Sequence, residues 1–312
     1  MITYVKHSDI DFTKWDDCIN ASPNGLIYAL SWYLNTVAGE WDALVEDDYQ
    51  SIFPLFPKRK VGISYSFNPK WTQQLGLFSK DLITAEKSYE FLNYAIKQVR
   101  WFDMNLNSLQ KLPDNHKLNI RENNNFVLNV LQPYEQIYAS YSENHRRNLK
   151  KGLRGMNITS SLNHEEIIRL FRNNRGKTIH LLNDESYAML SRLIYQSITR
   201  NMVEITGLYD DTNTLVGGTI IFIFKGRAIL IFSGINKTGR ALSAMHFLID
   251  DFVQKYQEHD LLLDFEGSNN ENLARFYRGF GAVNSPYFSV AHNRLPIPSC
   301  LVQMMRSKKQ QA

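Results

Sequence analysis

The chain has 312 residues, 44% hydrophobic and 21% charged, and 35 Lys and Arg against 31 Asp and Glu leave a net charge of +4. At roughly 150 residues per domain that is two domains or one large one, and the balance excludes a disordered or fibrous chain. An excess of four charges does not attract nucleic acid in bulk, so any anion site must come from local clustering.

Met1–Asp9 carries no long apolar run, so no secretory signal is expected. Ile2–Val5 reads as a first strand, and Phe12–Ile19 and Leu30–Val37 as short helices around the turn Ser22-Pro23-Asn24-Gly25. Ala43–Val45 and Ser51–Phe56 form a hairpin signal across Glu46-Asp47-Asp48. Ile63–Phe67 continues the sheet, and 71–78 is strand or loop. Tyr89, Leu92, Ala95, Ile96 and Val99 recur at helical spacing and predict a helix over 85–99. Strands are expected at 102–106 and 125–131, with loop and an edge strand in the Asn-rich 111–124 between them.

Pro133 opens a helix expected to run from Tyr134 to Arg154, with Gly155 after its end. A strand at 157–162, helices at 164–173 and 184–199, and strands at 203–209, 214–224 and 228–235 follow. The stretch 215–235 is the most apolar, but Lys225-Gly226-Arg227 divides it. A hairpin turn is the expectation there, not a membrane span. Ala241–Tyr256 is an amphipathic helix, Leu261–Phe265 a buried strand, 270–279 a helix and 287–292 a last strand. The tail from Met305 is polar and basic and is expected to fray. The order hairpin, helix, strand occurs at 43–106 and again at 203–265, which predicts two α/β domains with mixed sheets, 1–133 and 134–312.

Two cysteines, Cys18 and Cys300, make no CxxC, and the histidines form no HExxH, so no metal site is expected. A disulfide between them stays open, with a reduced, cytoplasmic setting as the simpler reading. There is no GxGxxG, GxxxxGK[ST] or GxSxG.

Four segments could carry chemistry. Arg146, Arg147, Lys150, Lys151 and Arg154 place five cations within three helical turns, a phosphate or carboxylate site or else a solvated face. Asp264 and Glu266 emerge from a leucine-rich strand, where ligands bind in α/β sheets. Alternation puts both on one face, as general base and positioning group or as a structural acceptor and a turn residue. Asn236-Lys237-Thr238-Gly239-Arg240-Ala241 links a strand to a helix, either a pyrophosphate cradle or a plain turn. Tyr277 could donate a proton to a leaving group, whereas Phe276 and Phe280 read as core.

Together these segments resemble the GNAT-like acyltransferase superfamily, and within it the Fem-type tandem proteins of bacteria. The resemblance rests on Asn144–Lys151, Val216-Gly217-Gly218, Asp264–Ser268 and Phe276–Gly281. It covers 134–291 best and reaches the first half through Ala29–Tyr33 and Gln73–Gly76. It implies two tandem GNAT-like domains and an acyl- or aminoacyl-transferase with an amine acceptor, which could be a cell-envelope precursor. It implies no tightly bound cofactor, with acyl-CoA or aminoacyl-tRNA as co-substrate. Asn236, Gly239 and Ala241 fall on a pyrophosphate loop of the form Q/R-x-x-G-x-G/A, from which the first position departs. On this reading Ser233 and Gly234 supply oxyanion N–H groups and Tyr277 the proton, while Asp264 or Glu266 positions the amine. Arg240 and the cationic helix face phosphates. The coiled-coil arm of some Fem ligases is missing, which argues against assuming tRNA. The alternative is a non-catalytic protein on the same fold that recognises a phosphorylated or anionic ligand. A dedicated RNA-binding module fits the charge least.

Overall fold

The computed structural model describes residues 1–60, 62–114, 118–151, 155–160, 162–179, 182–267 and 269–294. They pack as two units, one from Met1–Asn124 together with 285–294, the other from Asn125–Asn284. The sequence places its division at 133, nine residues later, and the register explains the offset. The strand at 126–129 pairs with partners beyond 260, so it belongs with the second unit.

The first unit begins with β1 (Ile2–Val5), α1 (Phe12–Ala21), α2 (Ser31–Ala38), β2 (Asp42–Glu46) and β3 (Ser51–Leu55). It continues through β4 (Pro57–Lys60), β5 (Ile63–Phe67), β6 (Phe78–Ser79), α3 (Ala85–Lys97), β7 (Trp101–Asn105) and β8 (Asn119–Asn123). Asp11 starts α1 by accepting from the backbone N–H groups of Thr13 and Lys14 at 3.0 and 3.1 Å. The hairpin expected around Glu46-Asp47-Asp48 forms, with Leu44 opposite Phe53. Helix α3 buries Leu92, Ala95 and Ile96 as read from the sequence, and Phe91 besides, while Tyr89 is half-buried.

The second unit runs β9 (Phe126–Asn129), α4 (Tyr134–Ser140), α5 (Glu143–Lys150), β10 (Asn157–Thr159), α6 (His164–Asn173), α7 (Asp184–Ile198), β11 (Val203–Tyr209), β12 (Leu215–Phe224) and β13 (Arg227–Ile235). Then come α8 (Lys237–Ala241), α9 (Ala244–Tyr256), β14 (Leu262–Asp264), α10 (Glu271–Arg278) and β15 (Val283–Asn284). The last strand, β16 (Tyr287–Asn293), returns to the first unit.

The first unit holds a four-stranded sheet, β1-β2-β3-β6, and a five-stranded one, β4-β5-β7-β16-β8. Strand β8 lies at an edge, as the Asn-rich segment predicted. The second unit has one seven-stranded sheet, β10-β11-β12-β13-β14-β9-β15. Lys225 and Gly226 both take positive φ (45° and 69°) and close the β12–β13 hairpin where the charges interrupt the apolar run. Helices cover both faces of this sheet. A side chain at Gly217 would meet Ala244 and Leu248 of α9, and one at Gly218 would meet Ile167 of α6. Tyr134 on α4 donates to the buried Asp250 on α9 at 3.1 Å.

Two helices differ from expectation. The segment 134–154 is not one helix: Tyr141 is extended at φ −63° and ψ 140°, and Ser142 caps a new helix by accepting from the His145 N–H. Likewise the helix expected from Ala241 starts at Ala244, because Ser243 is left-handed at φ 62° and separates α8 from α9. Among the described residues no helix is long and apolar enough to cross a membrane. Cys18 is a buried free thiol. Cys300, Arg154 and the tail from Met305 lie outside the described residues.

Candidate active site

The central feature of the second unit is a break in its sheet. Strands β13 and β14 run parallel and pair only through Arg227–Ile229 and Leu262–Asp264. Strand β13 then continues to Ile235, whereas β14 stops. The two strands therefore part at the carboxyl end of β14 and partway along β13, leaving a gap in the ladder near the position at which open α/β sheets hold ligands.

Asp264 ends β14. Its Oδ1 accepts from the Glu266 N–H at 2.8 Å, a side-chain turn that bends the chain out of the sheet. Its Oδ2 accepts from Arg227 Nε at 2.7 Å, and the Arg227 terminal nitrogen lies 2.6 Å away. Both oxygens of this buried carboxylate are thus engaged within the fold. Glu266 and Gly267 follow at φ 55° and 64°. Strand alternation therefore stops at Asp264, and it does not set the direction of Glu266 as the sequence suggested.

Tyr277 sits on α10, its ring stacked on Phe265 at 4.6 Å and 14°. Burial, with the Glu266 and Asp264 charges, pushes its phenol up to about 12, so it is a neutral donor near pH 7. Ser233 and Gly234 lie on the part of β13 beyond the break, opposite Thr219 and Gly218 of β12. Gly234 is a glycine for a local reason: a Cβ there would stand 2.7 Å from the Ile167 carbonyl oxygen of α6.

The Asn236–Ala241 segment is a capped turn. Asn236 Oδ1 accepts from the Gly239 N–H at 2.7 Å, and the Asn236 N–H donates to the Val216 carbonyl at 3.1 Å. A Cβ on Gly239 would fall 2.1 Å from that same carbonyl oxygen, so α8 is held hard against β12. Arg240 and Ala241 are exposed.

Helix α5 carries the cations. Arg147, Lys150 and Lys151 are exposed and Arg146 half-buried. Arg147 donates to Asn144 Oδ1 at 2.9 Å. Among the described residues, Arg146, Lys150 and Lys151 enter no ion pair. Leu149 of α5 packs in one cluster with Leu242 and Met245, which brings the cationic helix beside the α8–α9 corner.

The sequence reading overlooked three residues. His145 is buried, with Nε2 2.9 Å from the Phe276 carbonyl and Nδ1 3.0 Å from Ser142 Oγ. His246 on α9 meets it ring to ring at 4.6 Å, and Asn148 Nδ2 lies 3.2 Å from His246 Nε2. Arg227 was read only as a turn residue. The signal for His145 was its place three residues after a capping serine, on the apolar side of a cationic helix.

No protein-family model matches the sequence, and no curated protein matches it. Solved structures do. FemX is 11% identical with a TM-score of 0.63, over 95% of this chain and 98% of that one. L-PGS from Bacillus licheniformis is 10% identical with a TM-score of 0.54, over 95% and 96%. The C-terminal domain of a putative lysylphosphatidylglycerol synthetase from Agrobacterium fabrum is 9% identical with a TM-score of 0.50, over 95% of each chain. At such identities the likeness is one of fold. The chain has the two-domain GNAT-like fold that it shares with FemX and L-PGS, as the sequence resemblance implied.

Proposed function

We propose that the chain is an acyl- or aminoacyl-transferase whose reacting groups meet in the gap between β13 and β14. The carrying observation is that gap, bordered where β14 ends by Glu266 and served by a neutral Tyr277. Backbone N–H groups alternate in direction along a strand, so one of Ser233 and Gly234 donates toward β12 and the other toward the side β14 has vacated. That N–H would stabilise the oxyanion formed when an acceptor amine attacks the acyl carbon. Tyr277 would protonate the leaving group. Glu266 would orient and deprotonate the amine, because both Asp264 oxygens are engaged and Asp264 serves to place the Glu266 backbone. A non-glycine residue in the left-handed region carries strain, and such strain collects at functional sites.

Between the donors, the Asn236 cap consumes the Gly239 N–H, a group a CoA pyrophosphate would use. This favours an aminoacyl donor whose phosphates meet Arg146, Arg147, Lys150 and Lys151. The acceptor would be a small or phosphorylated precursor, such as a lipid-linked one in the manner of a phosphatidylglycerol. A non-catalytic anion-binding role is the second reading, and the occupied Asn236 turn is the observation that favours it. Thermal shift with acetyl-CoA, an aminoacyl-tRNA and inorganic pyrophosphate separates these readings. Stabilisation by aminoacyl-tRNA, with acyl transfer lost in Tyr277→Phe and Glu266→Gln, supports the enzyme. Binding of pyrophosphate without transfer to any amine supports the second reading.

A further inference from the structure

We infer that His145, as a neutral imidazole, is a positioning residue: it joins the cationic helix α5 to the helix that carries Tyr277, so that the anion-binding side chains and the phenol are set by one joint. The inference rests on the transferase reading above for the roles of the two ends, and on geometry for the joint itself.

His145 stands in the first turn of α5 and is 4% exposed. Its Nε2 faces the Phe276 carbonyl at 2.9 Å, and a carbonyl only accepts, so Nε2 carries the proton. Nδ1 is then the acceptor, and Ser142 Oγ donates to it at 3.0 Å. The Phe276 carbonyl belongs to the last turn of α10, where helix carbonyls lack the usual partner four residues on. Next to this bond the Ser142 N–H donates to the Gly279 carbonyl at 2.8 Å. Two hydrogen bonds therefore run from the start of α5 to the end of α10, on either side of Tyr277 in sequence.

The joint has no slack. A Cβ on Gly279 would lie 2.1 Å from the His145 ring. The rings of Phe280, His246 and Phe276 surround it at 4.4, 4.6 and 5.2 Å. The titratable group that faces it is His246 from α9, while α10 presents aromatic rings and backbone. Burial lowers the His145 pKa, with the bond to the Phe276 carbonyl opposing it. Displacing α5 thus displaces the Phe276 carbonyl, and with it the next residue, Tyr277.

The test uses the full chain labelled with 3-fluorotyrosine, the Tyr277 resonance being assigned by its loss in Tyr277→Phe. His145→Phe fills the space without the donor, and His145→Gln keeps an N–H for the Phe276 carbonyl. In His145→Phe the Tyr277 resonance is expected to shift and inorganic pyrophosphate to bind about tenfold more weakly, as for loss of one hydrogen-bonded constraint. In His145→Gln both are expected to return toward the wild-type values. Ser142→Ala, which removes the Nδ1 partner together with the cap on the His145 N–H, is expected to move the same resonance in the same direction. If His145→Phe does not fold, Ser142→Ala and His145→Gln decide the matter. An unmoved Tyr277 resonance in folded His145→Phe, or in Ser142→Ala where His145→Phe does not fold, overturns the inference, whatever happens to melting temperature. If pyrophosphate does not bind the wild-type chain, the anion-site reading fails, while the resonance still reports on the joint.

Discussion

His246 shows how far burial reaches at the scale of one side chain. Burial first, then the nearby His145 and Lys151, lower its pKa from 6.5 to about 4. A base with a depressed folded pKa binds fewer protons in the folded state than in the unfolded one between those two values. Stability is therefore complete above about pH 6.5 and declines as pH falls toward 4. The shift corresponds to about 3 kcal/mol at most. Urea unfolding at pH 7.5 and pH 5 measures the loss, and His246→Phe should flatten it. A pH profile unchanged in that variant would place the acid sensitivity elsewhere. The neighbouring Gly279 gives a steric counterpart. Gly279→Ala thrusts a methyl group into the His145 ring and should cost about 1–3 kcal/mol. Its effect should shrink in a His145→Ala background, which a double-mutant cycle reads directly.

Among elements, the short pairing of β13 with β14 depends on one buried ion pair, Arg227 with Asp264, whose side chains are 16% and 2% exposed. Asp264→Asn leaves the arginine charge without its partner in a nearly dry setting and should cost about 3–5 kcal/mol. Arg227→Met with Asp264→Leu removes both charges and should cost less, as chemical denaturation of the two variants would show. Elements with local signals were readable in advance. Helix α6 falls on His164–Asn173 as expected, since Asn163 caps it and its apolar residues recur at helical spacing. The corners at Tyr141 and Ser243 were not readable. Neither uses glycine or proline, and each follows from packing: one lets α5 meet α10, the other lets α8 sit against β12. In the candidate site the residue types at 264, 266 and 277 were legible. The Asp264 clasp was not, because its partner lies 37 positions away.

For the whole molecule, the most consequential placement is that of β16. It lies between β7 and β8, with Val290 opposite both Met104 and Ile120. Nothing local in 287–293 reveals a pairing partner more than 160 residues earlier. All five tryptophans, Trp15, Trp32, Trp41, Trp71 and Trp101, lie in the first unit. Tryptophan fluorescence is therefore a selective reporter of that unit. A chain ending at 284 should lose the wild-type emission maximum while keeping the helical circular dichroism of α6, α7 and α9. A truncated chain with native fluorescence would show that the five-stranded sheet forms without β16.

That placement also sets a timetable. A ribosome releases β8 first, then every residue of the second unit, and only afterwards the strand that separates β8 from β7. At roughly 5–20 residues per second, the nascent five-stranded sheet waits about 8–30 s for the strand that joins β7 to β8. During that interval β7 and β8 carry unpaired edges, the surfaces that most readily recruit strands from other chains. The second unit meets no such delay, since all its strands are synthesised before β16. Every strand of the later unit thus exists while the five-stranded sheet of the earlier one still lacks β16.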